Sequence, residues 1–163
     1  MKPKPDFLAI LQTLAEYEVD FIVVGGVGAV LQGAPISTFD LDLVHSRTAD
    51  NIDRLLAALE ALEARYRTTG VQQAKPARSH LSSAGHQLLM TKFGPLDLLG
   101  AIGTGRGYGE LLGQTVHLEV GAGLRVRVLD LATLIKVKEE VAHEKDRAVL
   151  AVLRRTLEQK SKS

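Results

Sequence analysis

Two aspartates, Asp40 and Asp42, stand one residue apart inside the otherwise apolar run 38–44. Alternate side chains of a β-strand share a face, so both carboxylates point the same way and Leu41 and Leu43 point toward a core. Two ionised carboxylates side by side repel each other, and a bound cation offsets that cost. Hard oxygen ligands of this kind suit Mg²⁺ or Mn²⁺. The pair therefore predicts a core strand that carries a metal site.

A glycine pair, Gly25-Gly26, ends another apolar run at residues 21–24 and precedes Asp40 by fourteen residues. A glycine turn between a strand and a helix offers backbone N–H groups to an anion. A metal site and an anion site close together in the sequence indicate chemistry on a nucleotide.

A third carboxylate, Asp97, interrupts another short apolar run at residues 94–99. If that strand lies beside 38–44, three carboxylates converge. Three carboxylates can hold two magnesium ions about 3.5–4 Å apart, the spacing used for in-line phosphoryl displacement. A bare D-x-D is common by chance, and solvent-facing aspartates on an edge strand are the alternative.

The hydrophobic pattern predicts helices and strands in a mixed order, typical of an α+β fold with a mixed sheet, flanking helices and a C-terminal helical pair. We expect a single domain over 1–163, with a core at about 7–129, a helical segment at about 130–158 and a frayed end from 159. The glycines of 103–109 form either turns, which we favour, or a mobile substrate loop. The predicted strands are 21–24, 38–44, 87–93, 96–99, 116–120 and 124–129. The predicted helices begin at Asp6, 27, 49, Asp130 and 145, and the helix that begins at 49 ends at 65. Residues 67–85 are expected to be irregular, a loop with a short strand at its start.

Composition excludes several classes of protein. The chain has no cysteine, which excludes structural disulfides and thiolate zinc sites and fits a reducing cytoplasm. The first seven residues lack the apolar stretch of a signal peptide, and the longest mostly apolar run, 21–31, is too short to span a membrane. We therefore expect a cytoplasmic protein with no membrane partner. The segment 64–96 holds five basic residues and no acidic one, which indicates either a phosphate-binding patch or a solvated loop.

The motifs at 23–33, 37–44 and 96–99 together resemble the polymerase-β-like nucleotidyltransferase superfamily. The closest resemblance is to its small bacterial branch of minimal nucleotidyltransferases, which includes the toxin or antitoxin halves of abortive-infection-type systems. The stretches 129–138 and 144–146 resemble the same branch, in which a helix after the sheet returns a lysine to the site. The resemblance covers about residues 7–155.

The resemblance implies a Mg²⁺- or Mn²⁺-dependent enzyme that moves a nucleoside monophosphate from a nucleoside triphosphate, ATP included, to a hydroxyl of RNA, protein or a small molecule. By position, Asp40 and Asp42 would bind both metals, and Asp97 would bind the catalytic metal and help to deprotonate the attacking hydroxyl. The nucleotide-binding residues implied are Gly25, Gly26, Thr38, Lys138 and Lys145.

Two positions depart from the family pattern. Relatives often carry serine at the position of Gly26, and a basic residue at the position of Ile36. They favour the alternative class, a non-catalytic binding module or antitoxin that has a cognate partner protein. A dinucleotide fingerprint is the weaker rival, because the third glycine of that motif is Leu31 here.

Overall fold

The computed structural model describes residues 4–67, 74–141 and 146–162, which form an α+β fold around a mixed seven-stranded sheet. None of the described helices is long and apolar enough to cross a membrane. The strands are β1 (Phe21–Val24), β2 (Leu41–His45), β3 (Arg65–Tyr66), β4 (His86–Thr91), β5 (Gly94–Leu99), β6 (Thr115–Gly121) and β7 (Leu124–Leu129). The helices are α1 (Phe7–Glu16), α2 (Gly25–Leu31), α3 (Ala49–Ala61), α4 (Arg78–Ser82), α5 (Tyr108–Leu111), α6 (Leu131–Glu140) and α7 (Arg147–Ser161), with a 3₁₀ turn at Leu112–Gln114.

The strand order across the sheet is β3-β4-β5-β2-β1-β7-β6. Two antiparallel hairpins, β4–β5 and β6–β7, flank the central pair β1–β2, which is itself antiparallel. The hairpins join the centre through parallel pairs, β2 with β5 and β1 with β7. The mixed sheet expected from the sequence is therefore confirmed, with its earliest strands at its centre.

Each face of the sheet packs on a different set of helices. On one face, Leu41 and Leu43 of β2 join the core formed with α1 and α3, as their alternation with the aspartates predicts. On the other face, Val24 and Val44 pack in a second core with α6 and α7. Asp42 alternates with Leu41 and Leu43 along β2 and therefore belongs to this second face.

Side-chain caps fix where three of the helices begin. The carboxylate of Asp6 accepts a hydrogen bond from the backbone N–H of Ala9, and that of Asp130 accepts one from Thr133. The hydroxyl of Thr48 accepts from the backbone N–H of residue 51. Such caps satisfy N–H groups that the first turn of a helix leaves unpaired. The starts predicted at Asp6 and Asp130 are confirmed.

Several predicted bounds were wrong. Strand β2 begins at Leu41 instead of 38, and α3 ends at Ala61 instead of 65, where the chain turns into β3. The end of α7 is helical to Ser161, three residues past the expected limit at 158. Helix α4, inside a segment expected to be irregular, was not predicted. Its five residues are too few to show an amphipathic period.

Candidate functional site

Three carboxylates meet on the face of the sheet that packs against α6 and α7. Asp42 of β2 and Asp97 of β5 are direct partners in the parallel register, so their side chains share that face. Asp40 immediately precedes β2. One carboxylate oxygen from each of the three lies within 4.8 Å of the others. The structure thus brings together the three aspartates to which the sequence assigned a metal.

The cluster is electrostatically unfavourable without a cation. Burial, followed by the charges of Asp40 and Asp97, raises the pKa of Asp42 to about 8. Burial and the neighbouring Asp97 also raise the pKa of Asp40. The Oδ1 atom of Asp42 is buried and has no hydrogen-bond partner among the described residues. Three hard oxygen donors, one of them buried and unpartnered, fit a divalent cation such as Mg²⁺ or Mn²⁺.

The glycine pair forms the first turn of α2 against this cluster. The helix begins at Gly25, two residues earlier than the sequence predicted. Gly25 has a positive φ of 65°, and a Cβ atom there would collide with Oδ2 of Asp42. A Cβ atom on Gly26 would lie 2.9 Å from Oγ1 of Thr38. Glycine at both positions therefore lets the turn approach the carboxylates and the threonine directly.

A cleft of about 370 Å³ opens between this turn, two of the carboxylates (Asp40 and Asp42) and the helices α6 and α7. Its polar lining residues include Thr38, Asp40, Asp42 and Lys138. Ile36, whose position is often basic in the family, packs against the second core and lines the cleft as well. The remaining apolar lining includes Leu99, Ile102, Leu134, Val137, Val149 and Leu153.

Of the two lysines predicted to bind the nucleotide, Lys138 lies among the described residues and Lys145 does not. Lys138 on α6 lines the cleft, and its Nζ atom lies 3.1 Å from Oδ1 of Asp146. This ion pair connects α6 to the start of α7. Lys145 falls in 142–145, outside the described residues, and its predicted role stays a prediction.

Arg67 is a residue of the site that sequence reasoning did not single out. Its Nη2 atom forms an ion pair with Oδ1 of Asp97 at a distance of 2.7 Å. Its Nη1 atom donates a hydrogen bond of 2.7 Å to the backbone carbonyl of Leu89. The available signal was the basic segment 64–96, which gave no reason to prefer one of its five basic residues.

Residues 103–107 of the glycine-rich segment form a turn, as favoured from the sequence, whereas Tyr108 and Gly109 begin α5. An isolated bridge joins Ile102 to Arg106. Glu140 of α6 holds the turn: its carboxylate accepts hydrogen bonds from the Arg106 guanidinium, the shortest at 2.6 Å, and from the Thr104 backbone N–H at 3.4 Å. The turn therefore fixes Ile102, which lines the cleft.

No protein-family model matches the sequence, and no curated protein is significantly similar to it. Solved structures do match the fold. TM1012 of Thermotoga maritima, a candidate nucleotidyltransferase, superposes with a TM-score of 0.58 at 14% identity over 94% of this chain and 93% of its own. ANT(2″)-Ia in complex with adenylyl-2″-tobramycin gives 0.58 at 16% identity, over 93% and 87%. The lincosamide antibiotic adenylyltransferase LnuA, bound to lincomycin, gives 0.60 at 12% identity, over 91% and 94%. The chain therefore shares the fold of solved nucleotidyltransferases.

Proposed function

We propose that the protein is a metal-dependent nucleotidyltransferase that moves a nucleoside monophosphate from a nucleoside triphosphate to a hydroxyl of an acceptor. The observation that carries the proposal is the convergence of Asp40, Asp42 and Asp97 beside the glycine turn of α2. Partial burial and mutual repulsion raise the pKa values of Asp40 and Asp42, so the cluster is unfavourable without a cation and a bound cation is its expected purpose. The fold shared with adenylyltransferases supports the same reaction class.

In the proposed reaction, the acceptor's hydroxyl oxygen forms a bond to the α-phosphorus, and the bond from that phosphorus to the bridging oxygen breaks. Pyrophosphate leaves, and the hydroxyl proton moves to a carboxylate oxygen of Asp97. Asp40, Asp42 and Asp97 would hold Mg²⁺ or Mn²⁺, which neutralises the phosphates and makes the hydroxyl more acidic when bound.

The remaining groups would bind and orient the triphosphate. Gly25 and Gly26 line the cleft together with Asp40 and Asp42, and their backbone N–H groups would stabilise an anionic group bound there. The hydroxyl of Thr38 lies at the place where a side chain on Gly26 would extend, so it supplies a polar contact that relatives draw from serine. Lys138 would neutralise phosphate charge from the opposite wall, and Lys145 is proposed for the same task.

The test is transfer of label from each of four α-³²P-labelled nucleoside triphosphates with Mg²⁺ and a cell extract. Tobramycin and lincomycin belong in parallel reactions, because one structural neighbour is bound to adenylyl-2″-tobramycin and another is bound to lincomycin. We expect one class of molecule to become labelled by the wild type and not by Asp97→Asn. Absence of any labelled product with all four nucleotides would contradict the proposal.

A second candidate is a non-catalytic partner protein of the same fold, such as an antitoxin with a cognate toxin. The observation that favours it is Ile36, an apolar side chain that packs against the second core at a position that is often basic in the family. Such a module would show no change in thermal stability on addition of Mg²⁺ with a nucleoside triphosphate. We prefer the enzyme, because a module without a cation has no use for three mutually repelling carboxylates.

We also propose that the chain acts as one domain in a cytoplasmic setting.

A further inference from the structure

A row of side chains crosses one face of the sheet and leads from Arg67 to the carboxylates. The backbone N–H of Arg67 donates to the carbonyl of Leu88, which places Arg67 beside Leu88 at the end of β3. Leu88 is the antiparallel partner of Asp97, and Asp97 is the parallel partner of Asp42. Direct partners in neighbouring strands point to the same face. The guanidinium must therefore cross over Leu88 to meet Asp97, a span of about two strand spacings, or roughly 9.5 Å.

The guanidinium is held at that position from two sides. One terminal nitrogen lies 2.7 Å from Asp97, and the other donates to the carbonyl of Leu89. The Arg67 side chain is 25% exposed and that of Asp97 is 10% exposed. The two charges of an ion pair that is largely shielded from water attract each other more strongly than those of an ion pair on the surface. The contact therefore restricts where Asp97 points and places a positive charge directly beside its carboxylate.

Arg67 acts on the whole cluster as well as on its nearest carboxylate. Its guanidinium lies against Asp97, and one carboxylate oxygen of Asp97 is within 4.8 Å of an oxygen of Asp40 and of Asp42. It thus performs part of the task that a divalent cation would perform among the same oxygens. A guanidinium and a metal ion beside one carboxylate repel each other, so the two compete for Asp97.

We propose that Arg67 is a built-in counter-cation of this site: it positions Asp97 in the metal-free protein and competes with the divalent cation for that carboxylate. The inference rests on the metal site of the proposed function. Arg67 is a positioning residue, since it acts through Asp97, and its removal should tighten metal binding while it destabilises the metal-free fold.

The first experiment measures Mn²⁺ binding by calorimetry, without nucleotide, for the wild type, Arg67→Gln, Arg67→Lys, Arg65→Gln and Asp42→Asn. Arg65 is the matched control: it precedes Arg67 by two residues on the same face, and its guanidinium donates to the carbonyl of Ala64. We expect Arg67→Gln to bind Mn²⁺ about tenfold or more tightly than the wild type, because a unit charge a few ångströms from the ion is removed. Arg67→Lys and Arg65→Gln should stay within about twofold of the wild type.

The outcomes separate this inference from the proposed function. Unchanged or weaker Mn²⁺ affinity in Arg67→Gln, with binding lost in Asp42→Asn, would overturn the competition and leave the metal site standing. Equal binding by the wild type and Asp42→Asn would overturn the metal site itself.

The second experiment tests the counter-cation without any metal. Urea unfolding in chelator should show that Arg67→Gln is less stable than the wild type, and that the double variant Arg67→Gln with Asp97→Asn regains most of the loss. Removing Asp97 also removes the charge that Arg67 compensates, which is why the two changes should not add. Additive losses would overturn the proposed pairing, whatever the Mn²⁺ data show.

Discussion

Asp42→Asn should make the metal-free protein more stable at alkaline pH and prevent its stabilisation by metal. The substitution keeps the shape of the side chain and removes the charge that burial, Asp40 and Asp97 disfavour. Most buried substitutions destabilise a protein. A gain in the free energy of unfolding would therefore report the repulsion directly.

The size and sign of the effect follow from the pKa of Asp42, which the fold raises from 3.8 to about 8. Between those two values the folded protein holds a proton that the unfolded chain has released, so the stability of the wild type falls as pH rises through that window. Taken in full, the difference between the folded and unfolded pKa values lowers the free energy of unfolding of the wild type by about 5 kcal/mol at pH 8. Since Asp42 is only partly buried, solvent screens part of this effect. We therefore expect Asp42→Asn to gain roughly half of that free energy, on the order of 2–3 kcal/mol.

The assay is urea unfolding in chelator at pH 4.5, 6 and 8, followed by the same series with Mn²⁺. Asp42→Asn should exceed the wild type most at pH 8 and least at pH 4.5. With Mn²⁺ the order should reverse, because the metal stabilises only the protein that binds it. Glu119→Gln, an exposed position on β6, changes the net charge equally and serves as the control. A gain that is absent at pH 8, or that is the same at every pH, would refute the reasoning.

Three further predictions concern the nucleotide. Gly26→Val should abolish nucleoside triphosphate binding by displacing Thr38, whereas Gly109→Ala, where a Cβ atom meets open space, should leave the calorimetric affinity unchanged. Asp97→Asn should still bind a nucleoside triphosphate with Mg²⁺, but its transfer rate should fall by more than the roughly 10²–10⁴-fold that general-base assistance contributes. A parallel loss of nucleotide binding and transfer rate would contradict this prediction. Lys138→Gln should weaken triphosphate affinity in a salt-dependent manner, while Lys136→Gln, on the exposed side of α6, should not.

The sequence predicted the central strands well because their apolar runs end at strong signals. The glycine pair stops β1 at Val24, and alternation of apolar residues with aspartates assigns the faces of β2. Strand β2 begins three residues later than expected because residues 38–40 line the cleft, where the hydroxyl of Thr38 donates to the carbonyl of Asp40. The start of a strand depends on its neighbours, which a single sequence does not reveal.

Site residues that belong to a sequence motif could be predicted. Those that reach the site only through the pairing register of the strands could not. Asp97 drew notice because a carboxylate interrupts an apolar run. Arg67 follows a strand of two residues and reaches its partner across Leu88, in an arrangement that exists only once three strands have paired. Glycine is required at position 26 because the Thr38 hydroxyl lies beside it, a contact that the sequence does not show.

The cleft joins the beginning of the chain to its end, and this has a consequence for synthesis. The glycine turn and two carboxylates lie within the first 42 residues, whereas one wall of the cleft comes from α6 and α7, beginning at Leu131. Even β1, at the centre of the sheet, has its parallel neighbour β7 a hundred residues later. A nascent chain therefore exposes its carboxylates long before it can enclose a ligand. Any activity of this site therefore requires that α6 and α7 have left the ribosome and packed against the sheet.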